Sequence, residues 1–207
     1  MSKLIYLDNA ATTKTAPEVV EATLPYFTEY YGNPSSVYSF AAQNKEVITQ
    51  QREIIANALG AKTEEIYFTA GGSESDNWAL KATAEAYGNK GKHIITTKIE
   101  HHAILHSAEY LEKRGYEVTY LDVDEYGVVK LDDLKAAIRP DTILISVMFA
   151  NNEIGTIQQS KRLVRLLMSM VYYSTQMQYR HLDRFQSMLT NVIIDMLSAK
   201  WSQIKRT

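Results

Sequence analysis

The sequence contains no cysteine among its 207 residues. That excludes a disulfide framework, a thiolate metal site and a cysteine nucleophile within this stretch of chain. No apolar run approaches the ~20 residues that a membrane-spanning helix needs. Met1-Ser2-Lys3-Leu4-Ile5-Tyr6 reaches Asp8 too soon for a secretory signal, so the chain reads as cytoplasmic. Proline is scarce, and all four prolines and all nine glycines precede residue 161. Acidic residues nearly vanish after the same point. Residues 1–160 hold 14 Lys+Arg and 22 Asp+Glu, net −8, whereas residues 161–207 hold 8 Lys+Arg with only Asp183 and Asp195, net +6. Five of the seven methionines fall in that basic stretch. So many shifts at one place mark a boundary, with 1–160 and 161–207 as its two sides.

What is present is the material of a folded domain. Hydrophobic residues make up 45% of the chain, which is globular in proportion and enough for a core. Leu4-Ile5-Tyr6-Leu7 is strand-like. Pro17 suits a first helical turn, and the helix runs towards Tyr31 with Pro25 expected to kink or split it. A long helix is predicted from about Phe40 to Leu59, where Gly60 ends it. From there strands and helices alternate: a strand at 65–69, a helix at 73–87, a strand at 93–97, and a helix at about 103–114. A strand at 117–121, a short helix at 131–138 and a buried strand at 142–148 follow. Such alternation argues an α/β fold with a mainly parallel sheet flanked by helices.

The centre of this pattern is Phe68-Thr69-Ala70-Gly71-Gly72-Ser73-Glu74-Ser75, a two-glycine turn into a helix. Ser73 stands where an N-cap belongs. The unbonded N–H groups of a first helical turn, with the positive end of the helix dipole, attract anions. The octet therefore reads as a phosphate cradle or as an ordinary β-to-α turn. It has the spacing of neither a dinucleotide fingerprint nor a P-loop. Two more polar clusters, Glu100-His101-His102 and Asn151-Asn152-Glu153, fall at predicted strand ends, where ligands gather in parallel sheets. Alone, His101 also reads as a strand-end surface histidine, Asn151 and Asn152 as turn formers, and Glu153 as a structural carboxylate. His102 and His106 invite a metal reading, but no carboxylate or thiolate spacing supports it.

Five segments occur in order: Tyr6-Leu7-Asp8-Asn9-Ala10-Ala11-Thr12-Thr13, Gly32-Asn33-Pro34-Ser35-Ser36, the Gly71-to-Ser75 turn, Glu100-His101-His102-Ala103 and Asn151-Asn152-Glu153-Ile154-Gly155. Together they resemble cysteine desulfurases, pyridoxal-phosphate (PLP) enzymes of the class V aminotransferase group, over about residues 3–160. The resemblance implies the N-terminal part of a fold-type I PLP domain and a homodimer. It also implies removal of sulfur from L-cysteine, leaving L-alanine. The sulfur, held as an enzyme persulfide, passes to an acceptor protein for iron–sulfur cluster biosynthesis or thiolation. It makes Gly72 and Ser73 the phosphate-contacting pair. It makes His101 the imidazole on the pyridine ring and a proton shuttle, a task suited to a group that titrates near neutrality. It sets Asn152 beside the ring's phenolic oxygen.

After Asn152 the family continues with a His-Thr-Asp-Ala-Val-Gln strand, a Ser-Gly-His-Lys segment and a cysteine loop. These supply the carboxylate for the pyridinium nitrogen, the Schiff-base lysine and the attacking thiolate. None is present in this sequence. Synonymous codons for Ser174 to Arg180, read from the third base, spell His-Thr-Asp-Ala-Val-Gln. Codons for Ser202 to Thr207, read from the second, spell His-Lys-Leu-Asn-Gly-Pro. Ile194 to Ala199 matches the family in frame. The expectation is a frameshifted continuation of the same domain, with frame lost near Ser160, regained near Val192 and lost again near Lys200. Lys161, Lys200 and Lys205 are poor substitutes for the Schiff-base lysine. The alternatives are a true basic helical tail that meets nucleic acid or a membrane, a non-catalytic interaction fragment, or another class V enzyme such as selenocysteine lyase.

Overall fold

The computed structural model describes residues 5–9, 11–169, 175–179 and 196–199. Two compact units divide the chain, Met1–Phe68 and Thr69–Thr207. The expectations for Leu4, Ala10, Asp195, Lys200 and Lys205 fall outside the described residues.

In the first unit, helix α1 (Pro17–Thr23) and helix α2 (Pro25–Thr28) replace the single predicted helix. Pro25 causes the break, because it has no N–H to donate and its ring opposes helix continuation. Helix α3 (Ser39–Leu59) follows and ends at Gly60, whose φ of 70° is the left-handed conformation of a helix stop. Asn44 on α3 is buried and donates to the carbonyls of Tyr30 and Gly32, both at 2.6 Å, which pins the 30–36 loop. Two strand expectations fail here. Ile5 to Leu7 is irregular and exposed, and residues 65–69 give only a 3-10 turn (Thr63–Glu65) followed by chain that joins no strand ladder among the described residues.

The second unit is the sheet. Helix α4 (Gly72–Tyr87) leads to strand β1 (His93–Thr97), helix α5 (His102–Glu112), strand β2 (Glu117–Leu121), helix α6 (Leu131–Ala137) and strand β3 (Thr142–Met148). Helix α7 (Ser160–Ser169) and strands β4 (Thr175–Tyr179) and β5 (Met196–Ala199) complete it. The strand order is β2-β1-β3-β4-β5, and every pairing is parallel. Every residue of β1 and nearly every residue of β3 is buried, as expected of parallel strands covered on both faces. Leu80, Ala84, Ile94, Ile104, Leu111, Ile143 and Leu144 form the cluster that seats α4 and α5 on the sheet, with Met196 of β5 packed against it.

At the sheet's amino-terminal edge, His93 is wholly buried. Its Nδ1 lies 2.7 Å from Thr142 Oγ1 and its Nε2 2.8 Å from Thr119 Oγ1, so one ring links three strands. The carboxyl ends of β1 and β3 lie side by side at the opposite edge, and the polar clusters follow there.

Candidate functional site

The head of α4 departs from expectation in one detail. Gly71, not Ser73, is the N-cap, so Gly72 and Ser73 are the first two helical residues. The Gly71 carbonyl accepts from the Glu74 and Ser75 amides at 3.1 and 3.2 Å, and from the Thr69 and Ser75 hydroxyls at 3.1 Å each. Glu74 folds back to accept the Ala70 N–H. That leaves the Gly72 and Ser73 amides with no acceptor among the described residues. Gly71 has an extended backbone, and a Cβ added there would meet nothing within 4 Å. The head of α4 is thus an open anion seat: two amide donors at the positive end of a 16-residue helix. Residues 65–69 form no strand, so this turn does not follow a strand end.

The other two clusters do. β1 ends at Thr97, and a short turn leads to His101, the N-cap of α5. The Ala103 N–H donates to His101 Nδ1 at 3.1 Å. An accepting Nδ1 fixes the neutral ring with its hydrogen on Nε2. His101 is half-buried, so capping leaves part of the imidazole accessible. His102 and His106 are exposed, with rings stacked 5.6 Å apart. Among the described residues no group of three His, Cys, Asp or Glu side chains has metal-holding geometry.

After β3, Asn151 is buried and Asn152 half-buried. Asn151 is the turn builder: its Oδ1 accepts from the Glu153 and Ile154 amides at 2.8 and 3.0 Å. The Asn152 side chain makes no hydrogen bond with a described residue and is available to a ligand. Glu153 is exposed.

Glu100 is the residue whose importance sequence reading missed. It is enclosed in the turn between β1 and α5, and its Oε1 accepts from the Met148 N–H and from Thr97 Oγ1. Burial pushes its carboxyl up to about 8, and the nearby Asp76 on α4 adds to that push, while the two hydrogen bonds oppose it. Asp76 is itself buried in the second turn of α4, near enough to Glu100 for its charge to be felt there. The available signal was an acidic residue three positions beyond a wholly buried strand.

The family model described as Aminotransferase class-V matches residues 5–175. The chain belongs to the class-V aminotransferase family. It is 59% identical over 166 residues to a protein named "Cysteine desulfurase IscS" from Clostridium botulinum, covering 80% of this chain and 42% of that one. A "Cysteine desulfurase IscS" from Methanosarcina thermophila is 57% identical over 175 residues, 84% of this chain and 43% of that one. Among solved structures, a "NIFS-LIKE PROTEIN" superposes with a TM-score of 0.80 at 38% identity, covering 83% of this chain and 47% of that one. A structure titled "SspA in complex with cysteine" gives a TM-score of 0.83 at 33% identity, covering 94% and 56%. This class-V chain spans less than half the length of the curated relatives it matches. Its parallel sheet flanked by helices is part of the fold of these NifS-like enzymes. No helix among the described residues is long and apolar enough to cross a membrane.

Proposed function

We propose that this chain is the coenzyme-phosphate half of a cysteine desulfurase site and that, as these 207 residues, it does not turn over L-cysteine. The observation that carries the first part is the pair of amides at Gly72 and Ser73, at the head of α4, that have no acceptor among the described residues. These residues fit the phosphate of PLP: the seat is open, positive and lined by backbone donors. When bound, PLP would supply a ring that draws electrons from a bound amino acid, a task that needs the pyridinium carboxylate of the family segment absent from these residues. Gly72 and Ser73 would hold its phosphate, Asn152 would meet its phenolic oxygen, and His101 would lie on the ring and move a proton at Nε2. The second part follows from residue types. The chain has no cysteine to supply a thiolate, and no segment matches the family's lysine-bearing one.

The basic section 161–207 is a frameshifted continuation of the same domain. In support, β5 lies within the in-frame Ile194–Ala199 stretch, Ser198 is buried, and Met196 packs against the α4 cluster. The gene's nucleotide sequence tests this. Codons at 174–180 and 202–207 that spell neither family motif in a shifted frame would sink it. The parent enzyme is a cytoplasmic homodimer that hands sulfur to an acceptor protein. A selenocysteine lyase is separated from it by activity of the intact relative on the two amino acids.

The direct test is titration of the purified chain with PLP. Reversible binding, competed by inorganic phosphate and weakened by Gly72→Asp, is expected. Borohydride should fix the coenzyme to no single lysine. Stoichiometric labelling of one lysine would overturn the inactive reading, and no phosphate-competed binding would overturn the cradle.

A second reading, a non-catalytic subunit that pairs with an intact desulfurase, is favoured by the exposed Leu7, Phe27 and Val37 of the first unit. Co-purification with a full-length relative supports it, and separate elution counts against it.

A further inference from the structure

Glu100 carries hydrogen bonds that no local turn requires. Its Oε1 takes two donors, the Met148 N–H at the last residue of β3 and Thr97 Oγ1 at the last residue of β1. Its Oε2 is buried with no partner among the described residues. The charged group that faces it is Asp76, from α4, and it carries the same sign. No described Lys or Arg pairs with Glu100. A carboxylate in such a place loses hydration on one oxygen and meets repulsion instead of a counter-charge. The neutral acid avoids the repulsion and lowers the desolvation cost. Because Oε1 is the accepting oxygen, Oε2 is the one that carries the hydrogen.

The turn that Glu100 grips is the His101 turn. A second strap joins the same two segments, since Asn151 Nδ2 donates to the Ile99 carbonyl at 2.8 Å. Glu100 therefore ties β1 to the last residue of β3, and Asn151 ties the β1 turn to the turn that follows. His101 is adjacent to one strap and Asn152 to the other. The β1–β3 pairing in register, Ile95 against Ile145, ends before these turns begin. Beyond it the side-chain straps bear the alignment.

We propose that Glu100 is a positioning residue of this site: a neutral acid that locks the His101 turn to the end of β3, so that His101 and Asn152 move as one rigid edge. The inference rests on the reading of His101 and Asn152 as coenzyme contacts, but its own content is mechanical. Ionising Glu100 would put a negative charge within reach of Asp76 and would disturb the His101 edge.

The test uses the whole 207-residue chain, isotope-labelled, as wild type, Glu100→Gln and Glu100→Ala. Amide exchange at Met148 and the imidazole carbon shift of His101 are followed from pH 6 to 9.5 without added coenzyme. In the wild type, the His101 shift should show an inflection near 8 that follows Glu100. Glu100→Gln keeps an acceptor for Met148 but cannot ionise. Its Met148 exchange should stay within about twofold of wild type, and the inflection should vanish. Glu100→Ala should speed Met148 exchange by roughly tenfold or more, with core amides such as Ile104 changed by less than about twofold. An inflection that persists in Glu100→Gln overturns the proposal. So does an alanine variant whose Met148 exchange is unchanged, or rises only in step with the core. If the alanine variant does not fold, the glutamine variant decides alone. Failure to bind PLP would sink the function proposed above and leave these readings intact.

Discussion

The Asn151 side chain reaches across from the end of β3 and donates to the Ile99 carbonyl 2.8 Å away, while its own oxygen caps the Glu153 and Ile154 amides. One buried amide thus makes three bonds and uses both ends. Asn151→Ala should cost about 2–4 kcal/mol, because it removes three hydrogen bonds made by one buried side chain. Asn151→Asp keeps the acceptor and loses the donor, so it should cost less. Urea midpoints of the three proteins at one pH decide the order.

Stability should also depend on pH through Glu100. Its carboxyl is raised in the folded state from an ordinary 4.5 to about 8. Between those values the folded chain holds a proton that the unfolded chain has released. The associated stability is therefore complete below about 4.5 and lost as pH rises through 8. The whole span is on the order of 5 kcal/mol. Denaturant unfolding from pH 5 to 9 should show the decline, and Glu100→Gln should remove most of it.

His93 has the opposite sign at the other edge of the sheet. Burial, and then the nearby Arg139 guanidinium, hold its pKa below the ordinary 6.5, against the weaker pull of Asp141 and Glu117. Its two ring nitrogens each face a threonine hydroxyl, an arrangement that the neutral ring satisfies with one donor and one acceptor. The unfolded chain takes up a proton as pH falls through 6.5, and the folded chain refuses it. Stability should drop as the solution is acidified below that point. His93→Gln should flatten the acid limb of a pH–stability curve; an unchanged limb would assign the acid sensitivity elsewhere.

Gly91 sits where the chain enters β1. A Cβ there would lie 2.1 Å from the Asp141 carbonyl oxygen and 2.7 Å from its carbon. These are backbone atoms that also receive the His93 N–H, so they have little room to yield. Gly91→Ala should destabilise by roughly 2 kcal/mol or more. Thermal melts compared with a surface control such as Lys92→Ala would show it.

Much of this was legible because periodicity and burial coincide. The runs at 93–97, 117–121 and 142–148 are apolar and short, and each became a strand at those residues. Pro25 and Gly60 stopped helices by local chemistry that a sequence displays directly. The failures have one cause. A strand is a relation between two segments, and neither Ile5–Leu7 nor 65–69 joins the sheet among the described residues, however β-prone its residues. Ser73 lost the N-cap position to Gly71 because the helix starts one residue earlier than its best capping side chain. Glu100 and Asn151 were visible only as members of polar clusters. Their partners, Met148 and Ile99, are about 50 residues away in sequence and become neighbours only through the β1–β3 register.

The strand order leaves β2 at a margin of the sheet, with one row of backbone groups unclaimed among the described residues. Such a margin invites a foreign extended chain to dock and grow into a fibre. Here Glu117 opens that strand and is held by Arg139, which also grips Asp141 ahead of β3. Charged side chains at the head of an edge strand make it a poorer template for such growth.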